Sequence, residues 1–372
     1  MLPKFSNGVG PMMSSSALPK AMIAIFTLTA LYHLQYLMQL PKDIKVRVTP
    51  TSGPLAADPH NRAFISYGPE NCFPSFSATL QDFATTRNRS CSEFAPFTLT
   101  ETYRTAFATA STGGALSLAY ERGIQSQMTH SIIHNTTVHM MCAELRSGAW
   151  NKIAFLYSLV SNELLKPASE RRDWILWADR DSLILDQCRP LSSFLPPKTP
   201  EYDTVDLIVN HDFNGLNAGI FFFRPNHWVL DFFNLILAYP YYRPGEKLAF
   251  AEQTAMERII ASSPAFSSHT ARVPWHWFNT YPPDDGNTAS FGNGTASEGV
   301  AWSHARKGDF LVHFAGRASR ETEMLDWSDA LEKAGNVWAD KEGTRDVTKD
   351  IENYWRAWKD GSLTEGMMNG YS

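Results

Sequence analysis

The chain is predicted to adopt an α/β fold in which one mostly parallel sheet carries helices on both faces. Three observations lead there. Between about residues 101 and 330, short apolar runs rich in β-branched and aromatic residues alternate with longer amphipathic segments, the order that builds parallel sheets. The run Trp174-Ile-Leu-Trp-Ala-Asp-Arg-Asp-Ser-Leu-Ile-Leu185 breaks at Asp179 and Asp181 and then resumes, as a buried strand does when it delivers acids to its carboxyl end, where open α/β sheets bind ligands. Thr105 to Ala110 reads as a strand ending in Ser111-Thr-Gly-Gly114, small residues that let a ligand approach the backbone.

Taken in order, the first twenty residues are a polar leader, and Ala21 to Leu40 follows without a formal charge between Lys20 and Lys42. Twenty residues in a helix reach about 30 Å, the thickness of a bilayer core. His33, Gln35 and Gln39 dilute its second half. A signal-anchor is the favoured reading, with a cleaved signal peptide or a buried helix as alternatives. Residues 41–62 hold Pro41, Pro50, Pro54 and Pro59 without apolar periodicity and read as a stem. Residues 63–100 form a lead-in segment that starts with the apolar Phe64-Ile-Ser-Tyr67.

In the main domain, 101–330, Leu116 to Gln125 is expected as a helix and Thr129 to His134 as the second strand. Arg146 to Leu165 is expected as a helix with Trp150, Ile153, Tyr157, Val160 and Leu164 on its core face. After the carboxylate strand, Val205 to Val209 and Ala218 to Phe223 read as strands flanking His211-Asp-Phe-Asn-Gly-Leu-Asn217. That segment is either a ligand loop or a hairpin turn with Asx-type hydrogen bonds. His227 to Ala238 and Phe250 to Ser262 read as helices, Arg272 to Phe278 as a Trp-rich strand, and Pro283 to Ala296 as a loop able to order over substrate. Phe310 to Arg317 reads as a strand bearing His313. Residues 331–372 form a helical extension and tail, with Ile351, Tyr354, Trp355 and Trp358 on one helix face and disorder expected after Gly361.

Composition excludes some partners. With 33 basic and 38 acidic residues there is no positive field, so nucleic acid is not expected. Asn88-Arg-Ser, Asn135-Thr-Thr and Asn293-Gly-Thr are glycosylation acceptors downstream of the apolar run, which argues for a carboxyl side in the secretory lumen. Cys72 and Cys91 flank a polar loop and could form a disulfide, with Cys142 and Cys188 as buried thiols.

The two carboxylates suit a divalent cation, because Mg²⁺ and Mn²⁺ take oxygen ligands and neutralise a diphosphate leaving group. A solvated turn is the alternative for an isolated Asp-x-Asp. Trp150-Asn-Lys-Ile153, Trp177-Ala-Asp-Arg-Asp-Ser182, Asp212-Phe-Asn-Gly-Leu-Asn-Ala-Gly219, Glu252-Gln253, Val273-Pro274 with Asn279-Thr-Tyr-Pro282, and Gly308-Asp-Phe-Leu-Val-His-Phe-Ala-Gly316 occur in one order. That series resembles the galactosyl- and mannosyltransferases of glycosyltransferase family 34, Golgi enzymes with a single Rossmann-like GT-A domain. The likeness covers about residues 101 to 320.

The resemblance implies a retaining hexose transfer from UDP-galactose or GDP-mannose to a glycan by a single-pass type II Golgi membrane protein, with residues 1–20 cytoplasmic. Association with other glycosyltransferases is a further expectation. Asp179, Asp181 and His313 would hold Mn²⁺ (or Mg²⁺), an imidazole favouring Mn²⁺; a core histidine is the alternative for His313. Thr109, Ala110 and Ser111 would border the nucleotide, and Arg104 or Lys152 would meet its phosphates unless they are surface cations. Asp212, Asn214 and Asn217 would line the sugar pocket, with Gln253 and Glu252 facing the anomeric carbon; Glu252 could equally lie on a helix surface. The resemblance is imperfect at Arg180, which takes the place of a small residue and could pair with Asp181 or reach a phosphate, and at Asp186, which takes the place of an Asn. The alternatives are a xylosyl or inverting transferase on the same fold, or a domain that binds glycans or a partner without turnover.

Overall fold

The computed structural model describes residues 63–97, 102–112, 116–292, 301 and 303–370. The expected tail 1–20, signal-anchor 21–40 and stem 41–62, together with the Asn293 acceptor, lie outside them. Among the described residues no helix is long and apolar enough to cross a membrane.

The strands are β1 (Phe64–Tyr67), β2 (Thr105–Ala110), β3 (Thr137–Met141), β4 (Trp174–Ala178), β5 (Ser182–Ile184), β6 (Leu207–Asp212), β7 (Gly215–Phe223), β8 (Thr270–Arg272) and β9 (Leu311–His313). The main helices are α1 (Ala78–Phe94), α2 (Leu118–His134), α3 (Trp150–Leu164), α4 (His227–Tyr242), α5 (Ala251–Ser262), α6 (Arg320–Ala334), α7 (Thr348–Lys359) and α8 (Glu365–Asn369). Seven strands form one sheet in the order β1-β3-β2-β4-β7-β6-β8, and β5 pairs with β9 in a two-stranded ribbon. All neighbours in the large sheet are parallel except β4 with β7 and β6 with β7, so the mostly parallel α/β reading holds.

The central strands are buried throughout because their side chains feed two cores. On β4, Trp174, Leu176 and Ala178 enter one apolar cluster, while Ile175 and Trp177 enter the other, as the two-residue period of a strand requires. The β6–β7 register shifts between Ile208 and Asn210. The face of β7 changes with it, since Leu216 and Ala218 share a core with Phe221 and Phe223. Irregular pairing of this kind re-aims side chains.

Several expectations are corrected. Thr129 to His134 is not a strand but the last turns of α2, and the strand is β3. α2 is buried on almost every side, so its sequence carries no amphipathic stripe to announce a helix. On α3, Ile153, Leu156 and Val160 are fully buried while Tyr157 is exposed, which rotates the core face away from Tyr157. The strand expected through Phe278 stops at Arg272, before Pro274, which has no N–H to continue a ladder, and a short 3₁₀ turn, Trp275–Trp277, follows. The tail after Gly361 is ordered as far as residue 370: Thr364 caps α8 through Met367 N at 3.2 Å, and Leu363 and Met368 pack on the core. The disulfides are Cys72–Cys142 and Cys91–Cys188, not a Cys72–Cys91 loop with two thiols. α1 carries Cys91 inward against the region of Cys188, away from Cys72.

Candidate active site

The carboxylate turn lies where the sheet ends. Asp179 follows β4, and its backbone N–H donates to Gly219 O on β7 at 2.9 Å. Asp181 precedes β5, in which Ser182 is paired with His313 of β9. That antiparallel pairing brings a residue from far along the chain to the carboxylates. One ligand atom each from Asp179, Asp181 and His313 lies within 4.8 Å of the others, and His313 Nε2 stands 3.5 Å from Asp181 Oδ1.

Further polar groups fix this trio. His313 Nδ1 is 2.9 Å from Asn279 Oδ1, and Asn279 in turn donates to Asn210 Oδ1 at 2.6 Å. An amide oxygen can only accept, so Nδ1 donates to it, and Nε2 is the ring nitrogen that faces the carboxylates. Trp177 Nε1 donates to Asp179 Oδ1 at 2.7 Å. Two carboxylates and one imidazole lone pair form a donor set that fits Mn²⁺.

Cations surround the acids. Lys152 Nζ lies 3.4 Å from Asp179 Oδ1 and 3.2 Å from Glu252 Oε1, and donates to Ala218 O at 2.8 Å. Burial pulls the Lys152 ammonium down, but Asp179 and Glu252 outweigh it and hold the pKa above the ordinary lysine value. Arg320 Nη1 is 2.8 Å from Asp181 Oδ2. Burial would raise the Asp181 carboxyl, yet the imidazole of His313 and the Arg320 guanidinium hold it at about 2. Burial raises Asp179, with Lys152 opposing and Asp181 reinforcing the rise.

The cleft continues in both directions. On one side Ala110, Thr112, Met141, Ala149 and Lys152 line a cavity of about 290 Å³ with the acids. Thr109 and Ser111 are buried at the same strand end, their hydroxyls without a hydrogen-bond partner among the described residues. On the other side Asn217, Gly219, Glu252, Gln253 and His313 border the acids, and the cavity beyond takes in Asp212, Asn214, Asn217, Gln253 and Tyr281. There Asp212 Oδ2 accepts from Asn217 Nδ2 at 2.8 Å and from Tyr281 OH at 2.9 Å. Gln253 Oε1 accepts from Ala218 N at 2.9 Å. Ala251, just before Glu252, holds a positive φ of 45°, backbone strain of a kind that clusters at functional sites.

The structure thus gathers Ala110, Lys152, Asp179, Asp181, Asp212, Asn217, Glu252, Gln253 and His313 along one cleft. Glu252 is buried, not on a helix surface. His313 is a core histidine by burial and still presents Nε2 to the acids. Asn214 is mainly a turn residue: its N–H donates to Asp212 Oδ1 at 2.7 Å, and the expected loop 211–217 is a tight β6–β7 hairpin. Arg104 is not in the cleft. It precedes β2, at the end away from Ala110, with Nη2 2.7 Å from Asp173. Arg180 does not pair with Asp181. No sequence pattern points to Asn210 or Arg320, while Asn279 and Tyr281 lie within Asn279-Thr-Tyr-Pro282 as polar residues after a run of aromatics.

Residues 192–323 match the profile of the galactosyl transferase GMA12/MNN10 family. Over that segment the chain is similar to that family. The matched region takes in Asp212, Asn217, Gln253 and His313 but begins after Asp179 and Asp181, so only the fold brings the acids to it. An uncharacterized alpha-1,2-galactosyltransferase of Schizosaccharomyces pombe is 27% identical over 229 residues, 53% of this chain and 53% of that protein. An alpha-1,2-galactosyltransferase of the same yeast is 25% identical over 39% of this chain and 41% of its own length. The chain thus spans about half the length of the curated relatives it matches, or less. Among solved structures, a glycosyltransferase involved in glycosylation of the major capsid of PBCV-1 is 15% identical, with a TM-score of 0.44 over 59% of this chain and 98% of that one. The galactosyltransferase LgtC, in complex with donor and acceptor sugar analogs, is 12% identical with a TM-score of 0.38 over 63% and 96%. Likeness at that level says nothing of substrate.

Proposed function

We propose that this chain is a glycosyltransferase that moves a hexose from a nucleotide-diphosphate sugar to a glycan with retention of configuration. The observation that carries the reading is the meeting of Asp179, Asp181 and His313 within 4.8 Å at the middle of a cleft with a small-residue end and a polar end. The nucleotide lies toward Thr109, Ala110 and Ser111. The acceptor lies toward Asp212, Asn217 and Tyr281, beside the exposed rings of Phe213 and Phe250. A divalent cation bound by the trio would supply charge neutralisation for the departing diphosphate.

The chain's own residues do the rest by position. Lys152 stands between Asp179 and Glu252, where an ammonium offsets negative charge on the leaving group. Gln253, anchored to Ala218 N, and Glu252 face the gap between the carboxylates and the acceptor end, and hold the sugar so that its anomeric carbon is open to attack. The departing phosphate oxygen is itself basic enough to take the acceptor proton, so no strong side-chain base is needed. Asp212 orients the incoming hydroxyl through the Asn217 and Tyr281 network. The names of the two yeast relatives support galactose, with UDP-galactose as donor, over mannose.

A setting in the secretory lumen, reached through a signal-anchor at 21–40, is supported by the two disulfides and by the exposed Asn88 and Asn135 acceptors. The reading is tested by offering the purified full-length chain UDP-galactose, GDP-mannose and UDP-xylose with Mn²⁺ and following release of the nucleoside diphosphate. One sugar nucleotide, UDP-galactose foremost, should be hydrolysed, and a chelator should stop it. Binding without turnover of any of them would leave a glycan-binding domain instead.

A further inference from the structure

Between the two carboxylates stands a side chain that the metal trio does not use. Arg180 Cζ lies 4.4 Å from the centre of the Tyr120 ring, and Nη1 donates to the Thr112 carbonyl at 3.4 Å. Asp179 is taken by Lys152 and Asp181 by Arg320, so the Arg180 charge has no carboxylate partner among the described residues. Yet it borders the same cavity as both acids.

The placement is built into the fold. A Cβ on Gly123 would stand 2.7 Å from Ser182 O and 2.9 Å from Arg180 O, so α2 reaches the β4–β5 turn only because residue 123 has none. Tyr120 lies three residues earlier on the same helix face, which sets its ring against the guanidinium. A guanidinium held over an aromatic ring can still direct its N–H groups at other acceptors, and its fork matches the oxygens of a phosphate.

We propose that Arg180 binds the diphosphate of the nucleotide donor, positioned for it by Tyr120 and Gly123. The assignment rests on the reading of the cleft as a nucleotide-sugar site. The two aspartates balance a divalent ion, and Lys152 and Arg320 are shared with Asp179, Glu252 and Asp181; Arg180 adds a fixed cation for the diphosphate that does not leave when the metal does. The site therefore keeps some nucleotide affinity without metal.

Calorimetric titration of the full-length chain with UDP and with GDP, in Mn²⁺ and in chelator, tests this. For whichever nucleotide the wild type binds, Arg180→Ala should weaken binding tenfold or more, in Mn²⁺ and in chelator alike. Arg180→Lys, which keeps the charge and the size, should recover part of it, and Tyr120→Leu should fall between. Affinity for the parent nucleoside, uridine or guanosine, should not change. The assignment is overturned if Arg180→Ala and Arg180→Lys both bind the diphosphate within twofold of wild type, or if nucleoside affinity falls as far as diphosphate affinity. A wild type that binds neither nucleotide in Mn²⁺ would instead sink the nucleotide reading of the cleft itself.

Discussion

A Cβ placed on Gly219 would lie 2.3 Å from Cε1 and 2.9 Å from Nε2 of His313. The imidazole occupies the space a side chain on β7 would take, and at 2% exposure it has nowhere to withdraw. Gly219→Ala should therefore displace His313 and weaken Mn²⁺ binding about 10- to 100-fold, the usual cost of disturbing a ligand's support. Unchanged Mn²⁺ affinity in a folded Gly219→Ala chain would show that the imidazole is not a ligand.

Two buried histidines make the fold acid-sensitive. Burial and then the neighbouring cations Arg172 and Lys166 push His139 down to about 3, and burial with Arg345 and Arg306 does the same to His276. The unfolded chain protonates both near pH 6.5, so between about pH 6.5 and 3 it binds more protons than the folded one. Stability is full above that window and falls with pH, by about 2 kcal/mol per histidine at pH 5. Urea denaturation at pH 7.5 and pH 5 should show the loss, and His139→Gln should show less of it. An identical pH dependence in the variant would contradict this account.

The two disulfides span 70 and 97 residues. Closing loops of that length removes entropy from the unfolded chain worth about 4 kcal/mol each in the chain-entropy model. Cys91→Ser with Cys188→Ser should lower the thermal midpoint by about 10 °C, and non-reducing peptide mapping should recover Cys72 linked to Cys142. A Cys72–Cys91 peptide would refute the pairing.

Much of this was legible in the sequence where local pattern and fold agree. The acids of 179–181 stand out because an apolar strand ends there, and the β2, β4 and β7 runs carry their own period. What was hidden depends on partners distant in the chain. α2 carries no stripe because both its faces are covered. Arg104 and Arg180 are chemically alike in sequence, and only the sheet direction puts one at the cleft and the other at the far edge. The cysteine pairing follows from where α1 packs, which spacing does not encode.

Phe213 sits at the tip of the β6–β7 hairpin, 83% exposed, with its ring edge-on to Trp275 at 4.9 Å. An exposed ring beside a polar cleft is suited to cover the face of an acceptor sugar. Phe213→Ala should raise the KM for galactose- or mannose-ended oligosaccharides roughly fivefold, about 1 kcal/mol of lost apolar contact, without changing hydrolysis of the sugar nucleotide. Equal acceptor KM in both proteins would remove Phe213 from the acceptor site.

Asp179, Asp181 and His313 together are placed to hold one divalent cation. Electron paramagnetic resonance of free Mn²⁺ during titration of the full-length chain counts bound ions directly. We expect one tightly bound Mn²⁺ per wild-type chain and none in Asp181→Ala; the same single ion retained by Asp181→Ala, or no ion in the wild type, would contradict the account.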